Sequence, residues 1–280
     1  MEILSPTFAV HPARIALPLV AALVIGAEYL ASRRKNRNAY DACETAATLA
    51  IAVGGRLIGA ATVGIGALPM SWAYQHRLFD LSLKSPWWLL ALFVGVEFCY
   101  YWHHRAMHRV NWFWATHAVH HSSTKINLSA ALRLGWGGNV TGGFLFYLPL
   151  VFLGFDPLAV VATLGAGLAF QFFLHVAEAP HLGPLEWLLN TPAHHHVHHA
   201  ANDACLDKNF GAVLIVFDRL FGTFAEAPVG ETLRFGLKGE GPPAGRPLAI
   251  VLAGWHSLIR LWCGAPTWSD RRAALFGRPR

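Results

Sequence analysis

The sequence predicts an all-α fold, a multi-pass integral membrane bundle of helices. Three observations support this fold class. Hydrophobic residues make up 54% of the 280 residues and charged residues only 14%, whereas ordinary soluble domains are about 25% charged. Apolar segments of membrane-spanning length recur along the chain. Basic residues are concentrated at the ends of these segments, as in membrane proteins.

Four regions approach the roughly 20 apolar residues that a spanning helix needs. They are residues 13–31, 45–74, 86–108 and 137–178. The last region contains "GFDP" at 154–157, and its Gly and Pro predict a turn that divides the region into a helical hairpin with a short first arm. The segment 247–262 has polar breaks, which favour an interfacial helix lying on the membrane over a fifth span.

The charge pattern predicts the orientation. The run "RRKNR" at 33–37 follows the first apolar segment and is typical of a cytoplasmic loop. Alternating spans then place the histidine-rich regions 103–121 and 194–199 on the cytoplasmic side. The formal net charge is +6, but its position beside apolar segments indicates contact with a membrane surface and not with nucleic acid.

Histidine spacing indicates metal binding. His104 and His108 are four residues apart, and the next group is spaced i, i+3, i+4, so each set shares one helical face. In "AHHHVHH" at 193–199 only one register repeats the second pattern, which leaves out His194 and His196. The predicted ligands are His104, His108, His117, His120, His121, His195, His198 and His199.

Eight imidazoles are too many for one ion of usual coordination number, so the sequence predicts two metals in a histidine-rich cap on the cytoplasmic side. A site rich in nitrogen, without thiolates, suits iron, zinc or copper. His175 ends an apolar helix on the same side, and we expect it to be a ninth ligand.

Two carboxylates are candidate catalytic residues. Glu178 lies three residues after His175 and can orient a ligand histidine; the alternative is a solvated carboxylate at the level of the lipid headgroups. Glu97 lies seven residues before His104, about 10 Å along a helix. That distance is too great for sharing an ion with His104, but Glu97 can support a ligand on a neighbouring helix.

Four stretches resemble the fatty acid hydroxylase/sterol desaturase superfamily of membrane di-iron oxygenases, with particular likeness to its alkylglycerol monooxygenase branch. They are "EFCYYWHHRAMH" (97–108), "THAVHHSSTKINLSAALR" (116–133), "QFFLHVAEAPHLGPLEWLLNTPAHHHVHH" (171–199) and "DKNFGAVLIVFDRLFGTF" (207–224). The resemblance assigns the eight histidines to the three histidine boxes of the family and His175 to an additional helix-end histidine. Glu97 stands where members usually have Asp or Glu.

The resemblance implies two iron ions, O2 and an external electron donor of unknown identity. Pterin-using members carry Glu directly after the first box, whereas this chain has Arg109, which argues against a tetrahydropterin donor. We expect transmembrane helices over 1–85, a catalytic domain over 86–224, and a loop with an interfacial helix over 225–280.

The resulting hypothesis is an oxygenase that hydroxylates or desaturates a C–H bond of a lipid. Its partners would be the membrane, the lipid substrate and an electron-donor protein or reductant, at the cytoplasmic face of a bacterial inner membrane or of the endoplasmic reticulum. Two alternatives remain open. One is a zinc-dependent membrane hydrolase or metal transporter, and the other is a bis-histidine haem protein for electron transfer.

Overall fold

The structure, a computed structural model, describes residues 12–239 and 245–279, with residues 12–17 described by their backbone only. Within these ranges the chain forms helices and two isolated β-bridges but no strand, so the all-α prediction is confirmed. The α-helices are α1 (Pro12–Arg34), α2 (Ala42–Gln75), α3 (Pro86–Arg109), α4 (Asn111–His121), α5 (Leu148–Leu153), α6 (Pro157–Leu174), α7 (Pro192–His199), α8 (Val216–Leu220), α9 (Pro247–Gly264) and α10 (Trp268–Phe276). Residues 1–11 of the predicted N-terminal region and 240–244 of the C-terminal loop lie outside the described residues.

The predicted turn at 154–157 is present. Gly154 ends α5 with φ at +119°, a backbone conformation that glycine adopts most readily. Asp156 caps α6, its side chain accepting hydrogen bonds from the backbone N–H groups of Leu158 and Ala159 at 2.8 and 3.1 Å. Pro157 occupies the first turn, where its missing N–H costs nothing. The first arm of the hairpin is short as expected, covering only Gly143–Leu153.

Among the described residues, α2, α6 and α9 are long and apolar enough to cross a membrane. Only 11% of the most apolar stretch of α2 is buried inside the protein, which a lipid environment explains because soluble proteins rarely expose such a surface. The predicted span at 86–108 corresponds to α3, which is less apolar because its second half carries Glu97 and several histidines. The segment 247–262, which the sequence predicted to be an interfacial helix, forms most of α9, and α9 is long and apolar enough to cross a membrane.

The histidine-bearing helices pack against each other and against the apolar helices. α3 contacts α4 and α6, α6 contacts α7, and α9 lies along α4. A buried cluster from α2, α4 and α9 includes Ile51, Val119 and Ile250. At Gly254 in α9, an added Cβ would lie 2.3 Å from the Ala115 carbonyl oxygen. Glycine is therefore required for the close approach of α9 to α4, which holds three of the predicted ligands.

Candidate metal centre

Nine histidines form two groups in which the ring nitrogens converge. In each group, one nitrogen from every member lies within 4.8 Å of the corresponding nitrogen of every other member. The five-histidine group consists of His104, His108, His117, His121 and His198, and the four-histidine group consists of His120, His175, His195 and His199. These are the nine histidines that the sequence analysis selected.

Helical spacing explains how few elements supply so many rings. α3 provides two members, α4 three and α7 three, while His175 is the C-terminal cap of α6. Residues three and four apart project from one face of a helix. Packing of α3 against α4 and of α6 against α7 brings these faces together. Both groups draw ligands from α4 and from α7.

Contacts between Nε2 atoms define the centre of each group. In the five-histidine group, His117 Nε2 lies 3.1 Å from His104 Nε2 and 3.2 Å from His121 Nε2. A neutral imidazole has one N–H donor and one acceptor nitrogen. Several rings can therefore direct lone pairs at one point only where a cation accepts them.

The four-histidine group has the same arrangement. His175 Nε2 lies 3.3 Å from His120 Nε2 and 3.1 Å from His195 Nε2, and His195 Nε2 lies 3.1 Å from His199 Nε2. A haem would need two imidazoles on opposite faces of a flat macrocycle, whereas four or five nitrogens converge here. The geometry of both groups fits single metal ions better than haem.

In the five-histidine group, two buried nitrogens lack a hydrogen-bond partner among the described residues. They are Nε2 of His108 and Nε2 of His198, both in the five-histidine group. An unpaired buried polar atom costs about 1–3 kcal/mol, and a metal ion at the centre of the group would satisfy both atoms. The residues present therefore fit a pair of metal ions.

Backbone carbonyls orient four of the rings. The Nδ1–H groups of His104, His198 and His175 donate to the carbonyls of Phe210, Lys208 and Gln171 at 2.8, 2.9 and 2.8 Å, respectively. His120 Nδ1–H donates to the Arg133 carbonyl at 3.3 Å. A proton on Nδ1 leaves the lone pair on Nε2, the arrangement that metal-binding histidines require.

Burial keeps these rings neutral. It lowers the pKa of His198 to about 3 and that of His120 to about 4. Burial and the neighbouring imidazoles hold the pKa of His117, His121 and His199 well below the ordinary value. Neutral imidazole is the metal-binding form, so the groups are ready to bind cations near neutral pH.

The histidines left out of the register lie outside both groups. The His194 ring packs edge-on against Phe224, with ring centroids 5.2 Å apart. His196 Nε2 lies 2.8 Å from the Val176 carbonyl oxygen and bonds there. Each of the two is buried but faces away from the converging nitrogens.

The two carboxylates named by the sequence analysis lie apart from the histidines. Glu178 is half-exposed and pairs with Lys35 at 2.9 Å and Arg37 at 2.6 Å, and among the described residues none of its hydrogen bonds or ion pairs involves a ring of either histidine group. This corrects the expectation of a contact with a histidine, because the basic loop after α1 folds back onto Glu178. It corresponds to the alternative of a solvated carboxylate.

Glu97 is buried, and its Oε2 accepts the backbone N–H groups of Val213 and Leu214 at 2.9 and 2.7 Å. Glu97 supports the loop that follows residue 210, but none of its hydrogen bonds involves a histidine in the described part of the chain. The expected support of a ligand ring on a neighbouring helix is therefore not seen.

Sequence analysis assigned no role to Asp218 or to the loop at 207–211, although both lie within the quoted stretch 207–224. The loop supplies the carbonyls that orient His104 and His198. Backbone acceptors carry no side-chain signature. Asp207 and Asn209 in "DKN" were the sequence signal for a bend in this loop, because Asp and Asn tolerate a left-handed backbone.

Comparison with known proteins agrees with this centre. Residues 89–223 match the family model described as fatty acid hydroxylase. This part of the chain is therefore similar to the fatty acid hydroxylase family. All nine grouped histidines lie within the fatty acid hydroxylase match.

The chain is also similar to curated proteins of the same superfamily. It is 49% identical to human alkylglycerol monooxygenase over 150 residues, 54% of this chain and 33% of the relative. It is 44% identical to the Danio rerio alkylglycerol monooxygenase over 180 residues, 63% of this chain and 38% of the relative. An ornithine lipid hydroxylase of Rhizobium tropici is 32% identical over 148 residues, 52% of this chain and 44% of the relative.

These matches span about a third of the length of the alkylglycerol monooxygenases, so the similarity concerns the fatty acid hydroxylase region and not the whole of those proteins. No solved structure matches this chain.

Proposed function

We propose that this chain is a membrane-bound, di-iron, O2-dependent oxidoreductase that hydroxylates a C–H bond of a lipid. One observation carries the proposal: two adjacent, buried groups of converging imidazole nitrogens inside a fatty acid hydroxylase region. Membrane-compatible helices surround this region, which supports a substrate drawn from the bilayer.

The five-histidine group would hold one iron ion and the four-histidine group the other. Iron is compatible with ligand sets made of imidazole nitrogen, and no thiolate or carboxylate belongs to either group among the described residues. With O2, two external electrons and two protons, the bound irons would supply the oxidising chemistry that converts an unactivated C–H bond into an alcohol, the other oxygen atom leaving as water.

The protein would contribute orientation and exclusion of water. Carbonyl acceptors on Nδ1 keep Nε2 of His104, His120, His175 and His198 directed inward. Most members of both groups are fully or nearly buried, which lowers the local dielectric and limits access of bulk water to the reacting atoms.

The substrate class follows from the surroundings and the relatives. An apolar groove of about 640 Å³ lies between α3 and α5, lined by residues such as Trp88, Val94, Phe98 and Phe217. A groove without polar lining suits a hydrocarbon chain. Similarity to alkylglycerol monooxygenases makes alkylglycerols the first substrates to test.

We place the centre on the cytoplasmic face. Lys35 and Arg37, in the basic loop after α1, bind Glu178, three residues beyond His175. The basic loop and the metal centre therefore lie on one side of the bundle, and basic loops favour the cytoplasm. An external electron donor would approach from that side.

Metal analysis of protein purified anaerobically from membranes, followed by mass spectrometry of alkylglycerol-containing liposomes under labelled O2 and reductant, tests the proposal. We expect two irons per chain and a product with one labelled oxygen atom. A His198→Ala variant is the inactive control. Unchanged lipid with two irons bound would overturn the proposal, and hydrolysed lipid with two zinc ions would favour a hydrolase.

A further inference from the structure

One short loop orients two members of the five-histidine group. The carbonyl of Lys208 accepts the His198 Nδ1–H bond, and the carbonyl of Phe210 accepts the His104 Nδ1–H bond. The two rings come from α7 and α3, which are far apart in the chain. The position of this loop therefore decides where both Nε2 atoms point.

Two residues of the loop have a left-handed backbone, which Asp and Asn adopt at lower cost than other non-glycine residues. Asp207 and Asn209 have φ of +59° and +56°, in the left-handed region that costs most residues free energy. Such a conformation persists only where surrounding contacts determine it. Other groups must therefore hold the carbonyls of Lys208 and Phe210 in place.

Asp218 provides those contacts for Phe210. Its Oδ1 accepts the Phe210 N–H at 2.8 Å, and its Oδ2 accepts the Gly211 N–H at 2.7 Å. The Thr223 hydroxyl donates to Oδ1 at 2.7 Å, and Asp218 has 0% exposure. A Cβ on Gly211 would lie 3.1 Å from Oδ2 and 2.2 Å from the Leu214 carbonyl oxygen, so glycine permits this close approach.

The bond to Gly211 acts on the same peptide group that receives His104. The carbonyl of Phe210 and the N–H of Gly211 belong to one peptide unit, which is planar and trans. Asp218 therefore holds one edge of this plane while His104 donates to the opposite edge. A carboxylate on the N–H polarises the amide and makes its carbonyl a stronger acceptor.

The Lys208–Asn209 peptide, two units earlier in the loop, is held differently. The N–H of Asn209 donates to the Thr223 carbonyl at 3.0 Å, and the carbonyl of the same peptide unit, that of Lys208, receives His198. The peptide that accepts from His198 is thus held by the neutral carbonyl of Thr223, whereas the peptide that accepts from His104 is held by the buried carboxylate of Asp218. Asp218 therefore acts directly on the peptide that orients His104, and it reaches the peptide that orients His198 only through Thr223.

We propose that Asp218 is a positioning residue that acts on His104 through the Phe210–Gly211 peptide and so strengthens metal binding by the five-histidine group. The inference rests on the two-metal centre of the proposed function. The Asp218 carboxylate holds the peptide, and the peptide carbonyl holds the His104 ring that would bind the ion. Substitution of groups that support ligand rings typically changes metal affinity by about 10- to 100-fold.

The test is iron release from anaerobically purified holoprotein to a ferrous chelator, without lipid or O2. Asp218→Asn keeps the side-chain volume but can accept at only one atom. We expect one of the two irons to be released about 10- to 100-fold more readily, with one Mössbauer component lost and the other unchanged. Thr223→Val removes the hydroxyl bonds to Asp218 and Tyr101 but leaves the Asp218 carboxylate and its two backbone bonds in place, so it should weaken the same ion to a smaller extent.

Asp156→Asn is the control for an aspartate-to-asparagine change elsewhere in the fold, because Asp156 accepts two backbone N–H groups at its Oδ1 and lies at the far end of α6 from His175. It should release both irons as the wild type does. The proposal is overturned if Asp218→Asn retains both irons normally, or if it loses both together with its helical circular dichroism. A wild-type protein that binds two irons but leaves lipids unchanged would refute the proposed function and leave this test intact.

Discussion

His120 and His121 are consecutive residues whose rings belong to different histidine groups. His120 Nε2 lies 3.3 Å from His175 Nε2 in the four-histidine group, whereas His121 Nε2 lies 3.2 Å from His117 Nε2 in the five-histidine group. Their ring planes are nearly perpendicular, at 88°. One turn at the end of α4 thus supplies both candidate metal sites.

Substitution of these neighbours should therefore remove different ions. We expect His120→Ala to lose the ion of the four-histidine group and His121→Ala to lose that of the five-histidine group, each leaving about one metal per chain. Metal analysis and Mössbauer spectroscopy of both variants should give complementary spectra. Identical residual spectra would show that the two rings serve a single site.

The register of the 193–199 segment can be tested by a matched pair on α7. His198→Ala should lower metal content and abolish lipid oxidation, because His198 Nε2 faces the five-histidine group. His194→Gln should retain the metals, because that ring packs against Phe224 outside both groups. Equal metal loss in the two variants would contradict the register.

Stability and metal retention should fall in acid. Burial lowers the pKa of His198 to about 3 and of His120 to about 4, against about 6.5 in an unfolded chain. Below about pH 6.5 the unfolded chain takes up protons that the buried histidines of the folded chain do not take up, so the free energy of unfolding decreases as the pH falls toward the pKa values of the folded chain. When the melting temperature is measured from pH 8 down to pH 5, it should decrease once the pH falls below about 6.5. A melting temperature that does not change over this range would exclude buried neutral histidines.

Gly254 offers a test of the packing between α9 and α4. In Gly254→Ala the new Cβ would meet the Ala115 carbonyl oxygen at 2.3 Å, so α9 must move away, at a cost of about 1–3 kcal/mol. Gly64→Ala is the control, since nothing lies within 4 Å of its added Cβ and alanine favours a helix. Thermal unfolding in one detergent should show a loss only for Gly254→Ala.

Local periodicity accounts for what the sequence predicted well. Apolar length predicted the long helices, and "GFDP" predicted the turn before α6. Helical spacing selected eight of the nine histidines that the structure groups, and the position of His175 at the end of an apolar helix selected the ninth. The division into five and four was not predictable, because it depends on how α3, α4 and α7 rotate against one another.

Partners distant in the chain explain the remaining errors. Glu178 meets Lys35 across 143 residues, and Glu97 meets the backbone of Val213 across 116. Glu28, near the end of the first apolar segment, accepts the backbone N–H groups of Leu128 and Ala177 at 2.8 and 2.7 Å. Backbone donors have no residue signature, so these roles become visible only in the folded chain.

The consecutive residues His198 and His199 on α7 are divided between the two groups in the same way as His120 and His121. The five-histidine group contains His121 and His198, and the four-histidine group contains His120 and His199. Consecutive Cα atoms are held 3.8 Å apart by covalent bonds. The separation between the two nitrogen clusters is therefore set twice by the peptide chain itself. Thermal motion of lipid-embedded helices can displace the clusters together, but it changes the distance between them far less.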